Sequence, residues 1–159
     1  MPPPLLLGGP DETRRLGADL AAVCRPGDLV VLDGPLGAGK TVFVQGLAAG
    51  LGVRDPVTSP TFVIARVYAS GRIPFVHVDA YRLSGIVEID DLDLDVSTEE
   101  SLTVVEWGSG LVESLADAHL RVELRRLPGG ADGSDEDERQ ARLVPSGGDW
   151  AERIQPLQG

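Results

Sequence analysis

The chain has 159 residues, of which 42% are hydrophobic and 25% are charged, a composition typical of a soluble domain with its own core. Its 14 basic and 25 acidic residues give a net charge of −11. This argues against independent binding to nucleic acid, because contacts from basic residues to phosphates supply most of that affinity. A single cysteine, Cys24, excludes an internal disulfide, and no segment approaches the roughly 18 consecutive apolar residues of a membrane span. We therefore expect a cytoplasmic protein without a signal peptide.

Hydrophobic spacing predicts one mixed α/β domain over residues 1–159, with a flexible segment at 1–10. A helix is predicted over 11–24 with Asp11 as its N-cap. A buried strand at 29–32 then leads through a glycine-rich loop into a helix that ends near Gly50 or Gly52. Strands are predicted at 62–68 and 75–79 as an antiparallel pair, and further strands at 102–107, 120–127 and 139–144. Helices are predicted at 111–118 and 149–154, and a mobile acidic loop at 128–138. The segment 88–95 is left unassigned.

The segment Gly34–Thr41 fits the phosphate-loop pattern G-x-x-x-x-G-K-[ST]. Glycines let backbone N–H groups turn toward a phosphate, Lys40 supplies a compact charge, and the Thr41 hydroxyl ligates Mg²⁺. Lys40 is also the single lysine among the 14 basic residues, the others being arginines. We expect the loop that carries it to be exposed. The predicted nucleotide-binding residues of this segment are Pro35, Leu36, Gly37, Ala38, Gly39, Lys40, Thr41 and Val42.

The nucleotide is predicted to be ATP. Common GTPases read guanine with an N-K-x-D loop, and the chain has no second lysine with which to build one.

A phosphate loop needs a carboxylate at the end of a neighbouring strand, and two predicted strands end in one, Asp79 and Glu106. Either acid could instead only cap a loop. Thr61 lies where nucleotide switches often contribute a hydroxyl to Mg²⁺, although a local proline-containing turn explains it equally well.

Four segments taken in order resemble the TsaE family, the bacterial ATPase component of tRNA threonylcarbamoyladenosine synthesis. They are Leu36–Thr41, Val57–Phe62, His77–Arg82 and Val105–Trp107. Many families share the phosphate loop, whereas its combination with S-P-T-F, H-x-D-x-Y-R and V-E-W is specific, and the resemblance covers about residues 11–125.

This resemblance implies a single P-loop NTPase-like α/β domain with a mixed central sheet flanked by helices. It implies binding of ATP with Mg²⁺, weak ATPase activity with ADP as product, and association with a TsaB–TsaD complex that modifies tRNA. The roles it implies are phosphate binding for Lys40, metal ligation for Thr41 and Thr61, hydrolysis and metal ligation for Asp79 and Glu106, and nucleotide contact for Thr13 and Trp107. How Asp79 and Glu106 divide their roles is open, Trp107 could equally be a core residue, and Tyr81 and Arg82 could serve catalysis or the partner interface.

Two other functions remain as alternatives. A small-molecule or nucleotide kinase on the same scaffold would need an arginine-bearing lid, for which Arg125 and Arg126 are weak candidates. A nucleotide-binding interaction module would bind ATP without turning it over.

Overall fold

The computed structural model describes residues 5–34, 39–53, 65–68, 71–79, 100–106, 118–126 and 139–158, except for the side chains of Ala65, Arg66, Asp79, Arg126 and Gln158. Its strands are β1 (Leu5–Leu7), β2 (Leu29–Asp33), β3 (Ala65–Tyr68), β4 (Phe75–Asp79), β5 (Leu102–Glu106), β6 (His119–Arg126) and β7 (Arg139–Ser146). Its helices are α1 (Pro10–Val23), α2 (Lys40–Leu51) and α3 (Trp150–Arg153), and a 3₁₀ turn over Gln155–Gln158 follows α3.

The seven strands form one mixed sheet in the order β1-β7-β6-β2-β5-β4-β3. The four inner strands β6, β2, β5 and β4 are parallel, so their carboxyl ends meet at one edge. The outer pairs β1–β7, β6–β7 and β3–β4 are antiparallel, the last as predicted. In open sheets of this kind, ligands bind beyond the carboxyl ends of the parallel strands. The predicted fold class is therefore confirmed, and the sheet points to one edge for a binding site.

Strand β2 lies at the centre of the sheet, and Leu29–Leu32 are buried on both of its faces. Val30 and Leu32 belong to a core that α1 and α2 build on one face of the sheet. The helical side chains of this core include Leu16, Leu20, Phe43, Val44, Leu47 and Leu51. Burial of this continuous apolar run holds β2, and hence the start of the glycine-rich loop, rigidly in place.

Helices α1 and α2 approach so closely that glycine is required at their contact. A Cβ added to Gly46 would lie 2.0 Å from the carbonyl oxygen of Arg14, and one added to Gly17 would lie 2.3 Å from that of Phe43. Both obstacles are backbone atoms, which no side-chain rotation can move. These two glycines therefore allow the backbones to touch, and they hold the first turn of α1 beside the start of α2.

The structure corrects several predicted boundaries. Leu5–Leu7 pair with β7, so the expectation of a flexible segment over residues 1–10 is wrong there. Helix α1 begins at Pro10 with Gly9 as N-cap, so Asp11 lies in the first turn and is not the cap. Proline favours this position because the first helical N–H has no partner within the helix. Strand β7 continues two residues beyond the predicted end, to Ser146, and α3 ends at Arg153. The predictions at 62–64, 88–95, 111–117 and 128–138 lie outside the described residues.

The C-terminal segment is fastened to the turn before β2 by Arg153. Its guanidinium donates to both carboxylate oxygens of Asp28, at 2.7 and 3.1 Å, and to the carbonyl oxygen of Val23 at 2.9 Å. It also lies 3.9 Å from the ring centre of Trp150, which is buried. This clamp lies at the amino end of β2, away from the edge at which a ligand is expected.

Cys24, buried next to this clamp, makes the stability of the fold depend on pH. Burial, with a smaller contribution from Asp28, raises the pKa of its thiol from 9.0 to about 12. The folded protein therefore keeps a proton that the unfolded chain loses above pH 9, so the free energy of unfolding should fall as the pH rises from 9 toward 12. We expect a loss of about 1.4 kcal/mol at about pH 10 relative to neutral pH, measured by denaturant unfolding. Cys24→Ala should lack this component, and an equal loss in both proteins would contradict the assignment.

Among the helices that the structure describes, none combines the length and the apolar character needed to cross a lipid bilayer.

Candidate nucleotide-binding site

The glycine-rich loop leaves β2 and enters α2, as the sequence predicts. Strand β2 ends at Asp33, and Gly39 precedes α2 in a left-handed conformation with φ of 98°, which favours glycine. The Gly39 carbonyl accepts the N–H of Phe43 at 2.9 Å and so starts the helix. Pro35, Leu36, Gly37 and Ala38 lie outside the described residues. The described flanks are Asp33, at the carboxyl end of β2, and Gly39, directly before α2.

The start of α2 is arranged to favour an anion. Within Lys40–Leu51 the first turn holds no acidic residue, and no side chain caps the helix. Within its own first turn, therefore, α2 has no acidic side chain to offset the positive end of the helix dipole. Lys40 nevertheless occupies the first helical position and is buried, contrary to the expectation of an exposed loop. A lysine and a helix start at one point both attract anions, so a phosphate is a suitable ligand there. Thr41 and Val42 follow Lys40 and are half-buried.

Two residues remote in sequence lie against Gly39. A Cβ placed on Gly39 would lie 3.6 Å from the Thr13 methyl group and 3.9 Å from Nε of Arg139. Thr13 comes from the first turn of α1, is buried, and donates its hydroxyl to the Gly9 carbonyl at 3.3 Å. Arg139 begins β7. The structure therefore places Thr13 beside Gly39, while its contact with a nucleotide stays a prediction. It also brings there a second basic residue, Arg139, that the sequence did not reveal.

The two predicted acids are neighbours at the carboxyl edge. Asp79 and Glu106 face each other in register at the ends of β4 and β5, and Glu106 is also opposite Leu32 of β2. The Glu106 side chain is buried, and Nε2 of the fully buried His77 lies 3.2 Å from its Oε2. The angle of this contact is not that of a hydrogen bond, and neither ring nitrogen of His77 has a hydrogen-bond partner among the described residues.

The donors present fit Mg²⁺ bound together with phosphates. In the described part of the chain, no group of three or more histidine, cysteine, aspartate or glutamate side chains converges on one point. Mg²⁺ commonly takes one or two carboxylates, a hydroxyl and phosphate oxygens, so it needs no such all-protein cage. Glu106, Asp79 and Thr41 are oxygen donors of the required kind at or next to the expected edge of the sheet.

Several predicted functional residues fall outside the described part of the chain, namely Thr61, Trp107, Tyr81 and Arg82. Arg125, proposed above for a kinase lid, lies within β6, where its guanidinium is 3.9 Å from the Asp33 carboxylate. It is therefore part of the sheet and not of a lid. The sequence did not point to Arg139 because its approach to Gly39 depends on the long-range path of β7.

The family model for the threonylcarbamoyl adenosine biosynthesis protein TsaE matches residues 7–131. The chain belongs to the TsaE family. Membership of the TsaE family supports a role in the biosynthesis of threonylcarbamoyladenosine in tRNA and a nucleotide-binding fold.

Individual relatives agree with this family. The chain is 55% identical to the tRNA threonylcarbamoyladenosine biosynthesis protein TsaE of Streptomyces coelicolor over 141 residues, covering 87% of this chain and 93% of that protein. It is 40% identical to the TsaE of Bacillus subtilis over 118 residues, covering 74% of this chain and 73% of the relative. The crystal structure of Bacillus subtilis YdiB superposes with a TM-score of 0.75 at 29% identity, over 98% of this chain and 93% of YdiB.

Proposed function

We propose that this TsaE-family protein is a single-domain ATPase that binds ATP with Mg²⁺ and hydrolyses it slowly on its own. Its hydrolysis supports repeated rounds of threonylcarbamoyladenosine formation by a TsaB–TsaD-type complex. One observation carries the proposal: the single lysine of the chain is buried at the start of α2, where the glycine-rich loop that follows the central strand enters the helix. A helix start attracts anions, and a lysine at the same point adds a positive charge that a phosphate can contact.

Positive charge from two elements supports binding of a polyphosphate. Lys40 begins α2, and Arg139 of β7 reaches Gly39 beside it. Phosphoryl transfer requires mainly positioning and neutralisation of phosphate charge, so a lysine, an arginine and a helix start together suit this substrate. ATP follows from the lack of a second lysine for a guanine-reading loop.

Asp79 and Glu106 supply the acidic side of the site. Glu106 ends β5, which pairs with β2, and Asp79 ends β4, which pairs with β5. Both acids therefore lie on the sheet side of a phosphate bound at the start of α2. One carboxylate holds Mg²⁺ with Thr41, and the other orients the attacking water. When bound, Mg²⁺ would neutralise charge on the phosphate oxygens.

The charge of the chain supports an indirect role in tRNA modification. A net charge of −11 opposes direct attachment to tRNA, so the partner complex would hold the tRNA and this protein would bind to the complex in the cytoplasm.

The decisive experiment measures product over many turnovers. The mixture contains tRNA, threonine, bicarbonate, ATP, the carbamoyl-AMP synthase and the TsaB–TsaD pair, with this protein absent or present. We expect product to stop near one equivalent of TsaD without this protein and to continue with it. Product formation that does not depend on this protein would refute the coupling to tRNA modification.

Replacing Glu106 with alanine should separate binding from hydrolysis. Loss of the buried carboxylate removes a group that holds the metal or orients water, while Lys40 and the helix start remain. We expect ATP hydrolysis to fall by about a hundredfold or more, with ATP affinity within a few fold of the wild type. Single-turnover hydrolysis and calorimetric titration measure the two quantities. A normal hydrolysis rate in Glu106→Ala would remove Glu106 from the catalytic set.

A further inference from the structure

His77 is a fully buried polar residue to which the proposed chemistry assigns no role. It lies in the middle of β4, two residues before Asp79, and its side chain projects to the same face of the sheet as that of its register partner Val104. Val104 belongs to the core beneath α1 and α2, so His77 lies between this core and the acids at the carboxyl edge.

Aromatic packing fixes the plane of the His77 ring. The ring stacks on Phe75 with centroids 6.0 Å apart and planes 22° apart, and Phe75 stacks in turn on Tyr68 at 5.5 Å and 25°. A stacked ring of this kind cannot rotate freely to find a distant partner. The polar atoms of His77 must therefore interact with groups already at the ring edge.

Among the described residues, Glu106 lies at that edge. Nε2 of His77 lies 3.2 Å from its Oε2, and both side chains are almost inaccessible to water. A buried polar ring without a hydrogen bond costs stability that an apolar residue would not, so packing alone does not explain a histidine here. A small rotation of the carboxylate would turn this contact into a hydrogen bond with Nε2–H as donor.

We propose that His77 is a positioning residue that donates from Nε2 to Oε2 of Glu106 and fixes the orientation of that carboxylate in the nucleotide site. This inference rests on the proposed function, because it assigns Glu106 its orientation for Mg²⁺ or water. Holding one oxygen leaves the other, Oε1, to face that partner. It also places a donor beside one of two acids whose backbones are in register, which eases their mutual repulsion.

The kinetic test compares three variants. His77→Leu replaces the donor with an apolar side chain, and His77→Gln restores an N–H donor. Val76→Ala is the control, because it removes buried apolar atoms from the opposite face of β4. We expect His77→Leu to raise the Mg²⁺ concentration for half-maximal ATPase activity by about tenfold or more and to lower kcat, with the KM for ATP changed less than about twofold. His77→Gln should recover part of this loss. Val76→Ala should lower the melting temperature and leave the Mg²⁺ dependence unchanged.

A second readout uses the protein without nucleotide or metal. His77 and His119 are the two histidines of the chain, so long-range ¹H–¹⁵N spectra of the imidazole rings are readily assigned with a His119→Gln variant. We expect Nε2 of His77 to carry a proton, and its signal to shift in Glu106→Ala. A ring protonated at Nδ1 alone, or a signal insensitive to Glu106→Ala, would overturn the inference, and these spectra decide it if His77→Leu does not fold.

The two hypotheses fail in different ways. A normal Mg²⁺ dependence in His77→Leu, with active wild-type protein, overturns the positioning role and leaves the ATPase intact. A wild-type protein that binds no ATP overturns the proposed function and this inference with it.

Discussion

Replacing Lys40 with alanine is expected to reduce ATP hydrolysis by about a hundredfold or more and to weaken ATP binding. The variant removes the compact charge that the site directs at the phosphates. Because Lys40 lies at the start of α2 and outside the apolar core, its removal should leave the protein folded, with a melting temperature close to that of the wild type. Steady-state ATPase assays, calorimetric titration with ATP and thermal unfolding measure the three effects.

Lys40→Arg is the matched control for this prediction. It keeps the charge but replaces a point-like ammonium with a planar guanidinium in a buried position, so we expect binding to survive better than hydrolysis. An alanine variant that unfolds, or one that hydrolyses ATP at the wild-type rate, would show that Lys40 serves the fold and not the nucleotide.

Gly46→Ala should destabilise the protein by about 3 kcal/mol or more. In an exposed helix the same change would stabilise by up to about 1 kcal/mol, because alanine has the higher helix propensity. Here the new Cβ would lie 2.0 Å from the Arg14 carbonyl oxygen, so α1 must move away from α2. The substitution therefore lowers the free energy of unfolding instead of raising it. Denaturant unfolding measures the change. Gly9→Ala is the control, since a Cβ there meets nothing within 4 Å and the backbone is extended, and we expect it to cost less than about 1 kcal/mol.

The same substitution should also weaken ATP binding at temperatures where the variant remains folded. Movement of α1 would carry Thr13 away from Gly39, although Gly46 itself does not adjoin the loop. Stability close to that of the wild type would mean that the two helices separate without cost, and would contradict the role given to these glycines.

The central part of the fold was predictable because its signals are local. The apolar run of β2, the glycines after it and the spacing of Phe43, Leu47 and Leu51 each specify a structure within a few residues. The positions of Asp79 and Glu106 at the ends of short apolar strands were also predictable, whereas the parallel pairing that aligns the two acids is known from the structure. Their chemical roles remain predictions.

What the sequence did not reveal depends on contacts between distant segments. Three leucines at 5–7 have no alternation of their own and form a strand only because β7 pairs with them. The approach of Arg139 to Gly39 and the burial of Lys40 likewise depend on segments that are far apart in the sequence. From sequence alone, Gly17 and Gly46 are expected to weaken their helices. Only the close contact between α1 and α2 shows why glycine is required at these positions.

The pairing of β1 with β7 has a consequence for the order in which the molecule is completed during translation. Residues 5–7 leave the ribosome well before β7, the strand that pairs with them, which is made last among the seven described strands. At about 5–20 residues per second, the interval is on the order of ten seconds. Throughout that time the nascent chain carries an unpaired hydrophobic edge, so chaperones can engage it, and the Arg153 clamp closes only after synthesis has passed β7.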